Sequence, residues 1–354
     1  MSSQKKSNQL PQKATHPLKP QAFADIVLQW QALHGRHDLP WQQPATPYRV
    51  LVSEIMLQQT QVSTVIPYFQ RWLQAFPDLH SLANAEEDQV MALWQGLGYY
   101  SRARNLQKAA QYLTQEYQGE FPNSLTELEQ IPGVGRYTAG AIRSFAFDDY
   151  GPIVDGNVRR LFCRFFAIAG APLSSAVNKQ LWQLAEQFTP QNNNRAFAQG
   201  LLDLGATVCT PKKPNCNDCP LQSNCIAFQQ SRVDEFPNPK PKKTIPLRQG
   251  HFIWRVENSQ IWLQRRPESG IWARLWSLPE VDGVPKGASL VGEFQHTFSH
   301  YKLQAKVWQH DHTHLQEPDA NYVDHHWLPL EALDSVGLPT PIRQFLQAQL
   351  QAER

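Results

Sequence analysis

Residues 128–147, LEQIPGVGRYTAGAIRSFAF, set two glycines two positions apart between two runs of helical character. A short helix would reach Ile131-Pro132, Gly133-Val134-Gly135 would turn the chain tightly, and a second helix would start near Arg136. Glycines allow a tight hairpin and a close approach of backbone N–H groups to an anion. The helix N-terminus that follows adds its own unsatisfied N–H groups and positive dipole end. A DNA phosphate fits such a corner whatever the base sequence. An ordinary packing corner between two helices would use the same glycines, so the reading depends on what surrounds them.

Just downstream, residues 153–161 read IVDGNVRRL. Asp155 stands where a helix would begin, a common place for a capping carboxylate, and capping also fixes where that carboxylate points. Upstream, residues 51–62 read LVSEIMLQQTQV, with Glu54 among Val, Ile, Met and Leu. A buried carboxyl there would be costly without a partner, and burial raises a carboxyl pKa toward that of a proton donor near neutrality. Its helical neighbours Val50, Leu51, Leu57 and Gln58 form a mixed face, so periodicity does not decide whether Glu54 is inside. Cleaving a glycosidic bond commonly takes two carboxylates.

Farther along, residues 209–225, CTPKKPNCNDCPLQSNC, place four of the chain's five cysteines within 17 residues, at Cys209, Cys216, Cys219 and Cys225. Four thiols over so short a span indicate a metal site, and chemistry alone leaves a Cys₄ zinc and an iron–sulfur cluster equally open. Cys163 sits apart in an apolar run as a core thiol. This is no secreted disulfide framework. The start, MSSQKKSNQLPQK, lacks the apolar segment of a signal peptide, and no apolar run is long enough for a membrane span. A soluble, reducing, cytoplasmic setting is expected. The balance of 33 Lys and Arg against 31 Asp and Glu leaves +2, too little to argue nucleic-acid binding by itself.

The 354 residues divide by composition. Residues 1–20 read as a disordered tail. Residues 21–228 carry helical spacing: Phe23, Ile26, Val27 and Trp30 share a face, Pro47 suits a helix's first turn, and residues 158–170 read as a buried helix ended by Gly170. The Pro- and Lys-rich residues 229–248 form a linker. In residues 249–354, GHFIWRV, SQIWLQRR, YKLQAKVWQH and DHHWLPL read as strands and TPIRQFLQAQLQ as a helix, an α+β domain.

Taken together, SEIMLQQTQV, LWQGLGYYSRARNL, IPGVGRYTAGAI and VDGNV resemble the MutY family of adenine DNA glycosylases, within the endonuclease III-like helix-hairpin-helix superfamily. The resemblance covers most of residues 22–228 and recurs weakly beyond them. It implies a mainly α catalytic region of two helical lobes with DNA in the cleft between them. It also implies an iron–sulfur loop at 209–225 and a C-terminal Nudix-like α+β domain that recognises the lesion. The cysteine spacing matches this superfamily's [4Fe–4S] loop, which points to one [4Fe–4S] cluster rather than zinc. Lys212 and Lys213 lie in a loop that in the family meets DNA phosphates.

The resemblance further implies that Glu54 protonates the departing adenine and Asp155 stabilises the sugar cation or bonds to it transiently, with Tyr137 and Asn157 in support. The reaction would be hydrolysis of the N-glycosidic bond of adenine opposite 8-oxoguanine or G in double-stranded DNA, by a monomer. Position 137 separates the branches: the bifunctional glycosylase–lyases carry a nucleophilic Lys there, and a Tyr cannot form a Schiff base. Arg159 is no substitute, because its guanidinium stays protonated. An adenine inside a duplex must be flipped out. Gln59 matches the family's wedge, Tyr99 the aromatic that intercalates beside the opposing base, and Thr60 and Leu97 neighbours of that base. Trp41, Leu57, Val62 and Gln199 match the adenine pocket, while Phe298, Ser299 and His300 match the loop that reads oxidised guanine. The glutamates after residue 250 are scattered, not gathered into the acidic box of a nucleotide hydrolase. The alternatives are a glycosylase–lyase for oxidised pyrimidines, opposed by Tyr137, and a non-catalytic lesion binder, opposed by Glu54 and Asp155.

Overall fold

The computed structural model describes residues 17–238, 244–309 and 324–352. Most of the expected tail (residues 1–16) and part of the expected linker (239–243) therefore lie outside the described residues; within them, Pro20 already opens the first helix. In chain order the helices are α1 (Pro20–His34), α2 (Pro47–Leu57), α3 (Val62–Ala75), α4 (Leu79–Ala83), α5 (Glu87–Trp94), α6 (Ser101–Tyr117), α7 (Leu125–Leu128), α8 (Arg136–Phe145), α9 (Gly156–Phe165), α10 (Ser175–Phe188), α11 (Asn194–Asp203), α12 (Ile226–Gln229) and α13 (Thr340–Ala352). The strands are β1 (Leu247–Trp254), β2 (Val256–Glu257), β3 (Gln260–Arg265), β4 (Trp276–Ser277), β5 (Glu280–Val281), β6 (Ser289–Thr297), β7 (Lys302–Gln309) and β8 (His325–Pro329). None of the described helices is long and apolar enough to cross a membrane.

Two compact units result, one from the described residues of Met1–His37 and Gly140–Lys240, the other from those of Asp38–Ala139 and Pro241–Arg354. In the first, Phe23 of α1 meets Phe162, Phe165, Phe188 and Phe197 edge-on at 5.1–6.3 Å, the geometry that aromatic quadrupoles favour. The buried face of α1 is Phe23, Ala24, Val27 and Gln31; Ile26 and Trp30 are only partly buried. The helix expected to run to Gly170 ends instead at Phe165. Ala167 takes a left-handed φ of 49°, and Ile168 N donates to Cys163 O at 2.9 Å, closing the last turn without a glycine.

In the second unit, Thr46 caps α2, its hydroxyl accepting from Arg49 N, and Pro47 fills the first turn. This helix is enclosed on nearly every side, with Tyr48 and Val50 through Met56 all buried. The C-terminal strands form a mixed sheet of order β5-β1-β7-β6, in which β1 and β7 run parallel, and a second sheet of β2-β3-β4 with β8 on β3. Asn258 and Ser259, both at positive φ, make the turn between β2 and β3.

That sheet domain docks on α5 and α6. Arg274 clasps Glu87 with Nε at 2.9 Å and Nη2 at 2.6 Å, and Arg265 and the Trp276 indole both donate to Asp88 Oδ1. The Tyr100 hydroxyl donates to Leu338 O and Arg104 to Ala273 O. Glu87 and Asp88 sit in the first turn of α5, where carboxylates also complement the helix dipole. A double-mutant cycle of Glu87→Ala and Arg274→Ala in urea should give a coupling of about 1 kcal/mol, since the pair is bidentate but partly exposed. Strict additivity would show that this pair does not hold the docking.

Candidate active site

Of the residues singled out by sequence, the second unit holds Trp41, Glu54, Leu57, Gln59, Thr60, Val62, Leu97, Tyr99, Gly133, Gly135, Tyr137, Phe298, Ser299 and His300. Glu54 is 5% exposed on α2. The enclosure of the whole helix, which a mixed face could not reveal, puts it inside. Its Oε2 accepts from the Tyr137 hydroxyl at 2.7 Å, across 83 residues of chain. Tyr137 is the second residue of α8, directly after the glycine hairpin, so the hairpin aims this hydroxyl. Gly133 has φ 79°, and a Cβ there would collide with Asn105 Cβ on α6. Trp41 is buried edge-on against Phe69.

Leu57 ends α2 and Val62 begins α3, and between them Gln59 is exposed at φ 58°. Tyr99 is 52% exposed at φ 47°, two residues after the buried Leu97. In the C-terminal domain, Ser299 and His300 are exposed at the tip joining β6 to β7, where Phe298 N donates to Tyr301 O at 2.8 Å. Phe298 beneath them packs among the rings of Trp272, His296 and Tyr301 at 4.5–5.2 Å.

The first unit holds Asp155, Asn157, Gln199 and the four cysteines. Asp155 is the N-cap of α9, and its Oδ1 accepts from Val158 N at 2.7 Å. Its Oδ2 accepts from Asn157 Nδ2 at 2.9 Å. Burial raises its pKa above the ordinary Asp value, against the hydrogen bonds from Val158 and Asn157 and the charge of Arg160. Close helix packing sets the approach to Asp155: a Cβ on Gly140 of α8 would overlap Pro152 O.

Sequence reasoning singled out Arg159 of α9 but not Arg160 or Arg164, and it is these two that tie this carboxylate to the cysteines. Arg160 Nη2 donates to Asn157 Oδ1 at 2.9 Å and Gly205 O at 2.6 Å, and its Nε to Cys209 O at 2.6 Å. Arg164, one turn on, reaches Cys209 Sγ at 3.3 Å and Thr210 O at 2.7 Å. Their helical spacing from Asn157 was the available signal. Gln199 is buried on α11 and donates to Asp203 Oδ1 at 2.9 Å; Asp203 also pairs with Arg36 at 2.6 Å.

Cys209, Cys216, Cys219 and Cys225 carry no disulfide and line one cavity, walled by Leu161, Phe165, Val208, Leu221 and Phe228. Among the described residues, no three His, Cys, Asp or Glu side chains are grouped as a single bound ion would need. Burial, with some contribution from the neighbouring thiols, pushes Cys219 up to about 12 and raises Cys216 and Cys225. Four thiolates could share this cavity only around compensating positive charge.

Comparison with known proteins completes the picture. Residues 52–187 match the HhH-GPD superfamily of base excision DNA repair proteins, and residues 250–348 match the NUDIX domain. The chain is 35% identical to the adenine DNA glycosylase of Buchnera aphidicola over 92% of this chain and 98% of that one. This chain belongs to the adenine DNA glycosylase family. The glycosylase is also 38% identical to the adenine DNA glycosylase of Rattus norvegicus, over 81% of its own length and 70% of the relative's. Among solved structures it is similar to a thermostable thymine-DNA glycosylase, at 27% identity and a TM-score of 0.55 over 60% of this chain and 97% of that one. It shares its fold with endonuclease III in a non-covalent DNA complex, at 22% identity, a TM-score of 0.51 and coverage of 60% and 98%. The expected mainly α helix-hairpin-helix region with a C-terminal Nudix-like α+β domain is thereby established, as is membership among the DNA glycosylases of base excision repair.

Proposed function

We propose that this glycosylase is monofunctional and hydrolyses the N-glycosidic bond of adenine mispaired with 8-oxoguanine, or with G, in double-stranded DNA. The observation that carries the reading is the hydrogen bond from Tyr137 to the buried Glu54. A carboxyl held inside an enclosed helix can carry a proton to a base, and a phenol where a lyase needs an amine cannot form a Schiff base. Residues 21–228 would form the glycosylase, and residues 249–354 would read the opposing lesion with Phe298, Ser299 and His300.

In this reading the target adenine is flipped out, and Trp41, Leu57, Val62 and Gln199 are the residues that would recognise it. Gln59 fills the gap and Tyr99 inserts beside the opposing base, near Thr60 and Leu97. Gly133 and Gly135 turn backbone N–H groups toward a DNA phosphate. Glu54 gives its proton to the adenine ring as the bond from C1′ breaks and its electron pair leaves with the base. Asp155, held by Asn157, stabilises the cation at C1′. Water then supplies the oxygen that bonds to C1′ and releases a proton.

Cys209, Cys216, Cys219 and Cys225 would hold a [4Fe–4S] cluster in the apolar cavity that all four line. Such a cluster would supply the positive charge that four thiolates need and would cross-link the loop. Arg160, bridging Asn157 to Cys209 O, then relates that loop to Asp155. Arg160→Leu should lower single-turnover base release at least about tenfold, because a small misplacement of a catalytic group costs that much or more. The iron content should stay unchanged, since no thiol is removed; full activity would separate the two sites.

The test of the function is base release from duplexes carrying A opposite 8-oxoguanine, G and T, with and without alkali. Release should favour 8-oxoguanine and G over T, and strands should break only after alkali. Release from A opposite T at an equal rate, or strand cleavage without alkali, would overturn the proposal.

A further inference from the structure

We propose that Arg102 is a positioning residue that binds the Gln59 and Tyr99 tips together as one preformed wedge. The inference rests on the roles proposed above for those two residues.

Arg102 of α6 is 7% exposed, yet among the described residues no carboxylate pairs with it. Backbone carbonyls surround it instead. Nη1 donates to Ile55 O at 3.0 Å, Met56 O at 2.9 Å and Gln58 O at 2.6 Å, the carbonyls that the end of α2 leaves unsatisfied. Nη2 donates to Leu97 O at 3.0 Å and Gly98 O at 3.1 Å. Both nitrogens lie 3.4 Å from Thr60 Oγ1. One nitrogen thus serves the segment carrying Gln59 and the other the segment carrying Tyr99, whose ring also lies 5.7 Å from the guanidinium. Burial pulls the pKa down to about 10, which leaves the group charged at neutral pH.

Gln59 and Tyr99 share a second property. Both are non-glycine residues at positive φ, 58° and 47°, a conformation that persists only where the surroundings over-determine it. Both are also exposed, so their own side chains do not hold them there. Contacts on the neighbouring residues, at Gln58 O and Thr60 Oγ1 beside Gln59 and at Gly98 O beside Tyr99, converge on Arg102, with the Trp94 indole also donating to Gly98 O at 3.1 Å. A planar fork can bridge two loops, whereas a lysine ammonium is a single point and can hold only one.

Single-turnover base release distinguishes this role from general support of the fold. Arg102→Lys, Arg102→Met and Gln59→Ala would be compared on a paired duplex and on one whose target adenine is flanked by abasic analogues, so that little stacking remains to be broken. Both Arg102 variants should lose about tenfold or more on the paired duplex, with most of the loss restored on the second substrate. Arg102→Lys should slow the Gln59→Ala variant by less than it slows the wild type, the remaining loss being the part that acts through Tyr99. Equal losses on both substrates, additive losses in the double variant, or full activity of Arg102→Lys on paired DNA would overturn the proposal. Should Arg102→Met fail to fold, the lysine variant and the double variant decide the matter. If Gln59→Ala is itself fully active, the wedge role fails; if it is impaired while Arg102→Lys is not, only the role of Arg102 fails.

Discussion

Glu54→Gln should fold normally, bind mispaired DNA and release adenine about 100- to 10,000-fold more slowly, the range that a positioned general acid contributes. The substitution is nearly isosteric, and an amide oxygen can still accept the Tyr137 hydroxyl that Glu54 Oε2 now accepts at 2.7 Å. What disappears is the transferable proton. Single-turnover rates on a duplex with A opposite 8-oxoguanine, beside a binding titration of the same duplex, separate chemistry from affinity. A rate within a few-fold of wild type would remove Glu54 from the mechanism. Tyr137→Phe is the companion: it leaves the carboxyl in place without its hydroxyl partner, so a smaller loss is expected.

Asp155→Asn should be comparably damaging for the opposite reason, since the neutral amide cannot stabilise a cation at C1′. The fold should tolerate it. Asn is as good an N-cap as Asp. The hydrogen bond between Asn157 Nδ2 and Asp155 Oδ2 would be lost, but so would a charge whose burial costs free energy. The net change in stability should stay within about 1 kcal/mol. The pKa of Asp155 also sets a pH dependence. Burial raises it above the ordinary Asp value, so in the wild type stability from this group is greatest at acid pH and declines as pH rises through the raised pKa. Activity runs the other way, because the ionised form is the competent one. The acid limb of the pH–rate profile should lie above an unperturbed aspartate, and Asn157→Ala should push it higher by removing a hydrogen bond that favours the carboxylate. A limb that stays put in Asn157→Ala would show that another group governs it.

Comparison of these two carboxylates shows what was legible in the residues. Asp155 could be placed from local pattern, because an N-cap is a local event: apolar residues, an aspartate, then a helix. Glu54 could not, because its burial comes from neighbours on all sides of α2 and not from the helix's own periodicity. The partnership of Glu54 with Tyr137 spans 83 residues and appears only once the hairpin turns α8 toward α2. Arg102 and Arg160 read as ordinary helical charges, since nothing in a sequence shows that a guanidinium will end among backbone carbonyls. The helix over residues 158–170 was overextended because an alanine, not the glycine, makes the left-handed stop.

By itself the sequence determined the elements and chemistry that local rules govern: the glycine hairpin of residues 131–136, the capping Asp155, the four clustered thiols, and the change from helical to strand spacing after the proline-rich stretch. Short-range sterics, hydrogen bonds to nearby backbone and periodicity act within a few residues, so they leave a mark on composition and spacing. Only the tertiary structure decided that Glu54 is enclosed and bonded to Tyr137, that the thiols share one apolar cavity, and that Arg102 and Arg160 bridge separate segments. Burial and long-range hydrogen bonds depend on which surfaces meet, and that is a property of the packed chain, not of any stretch within it.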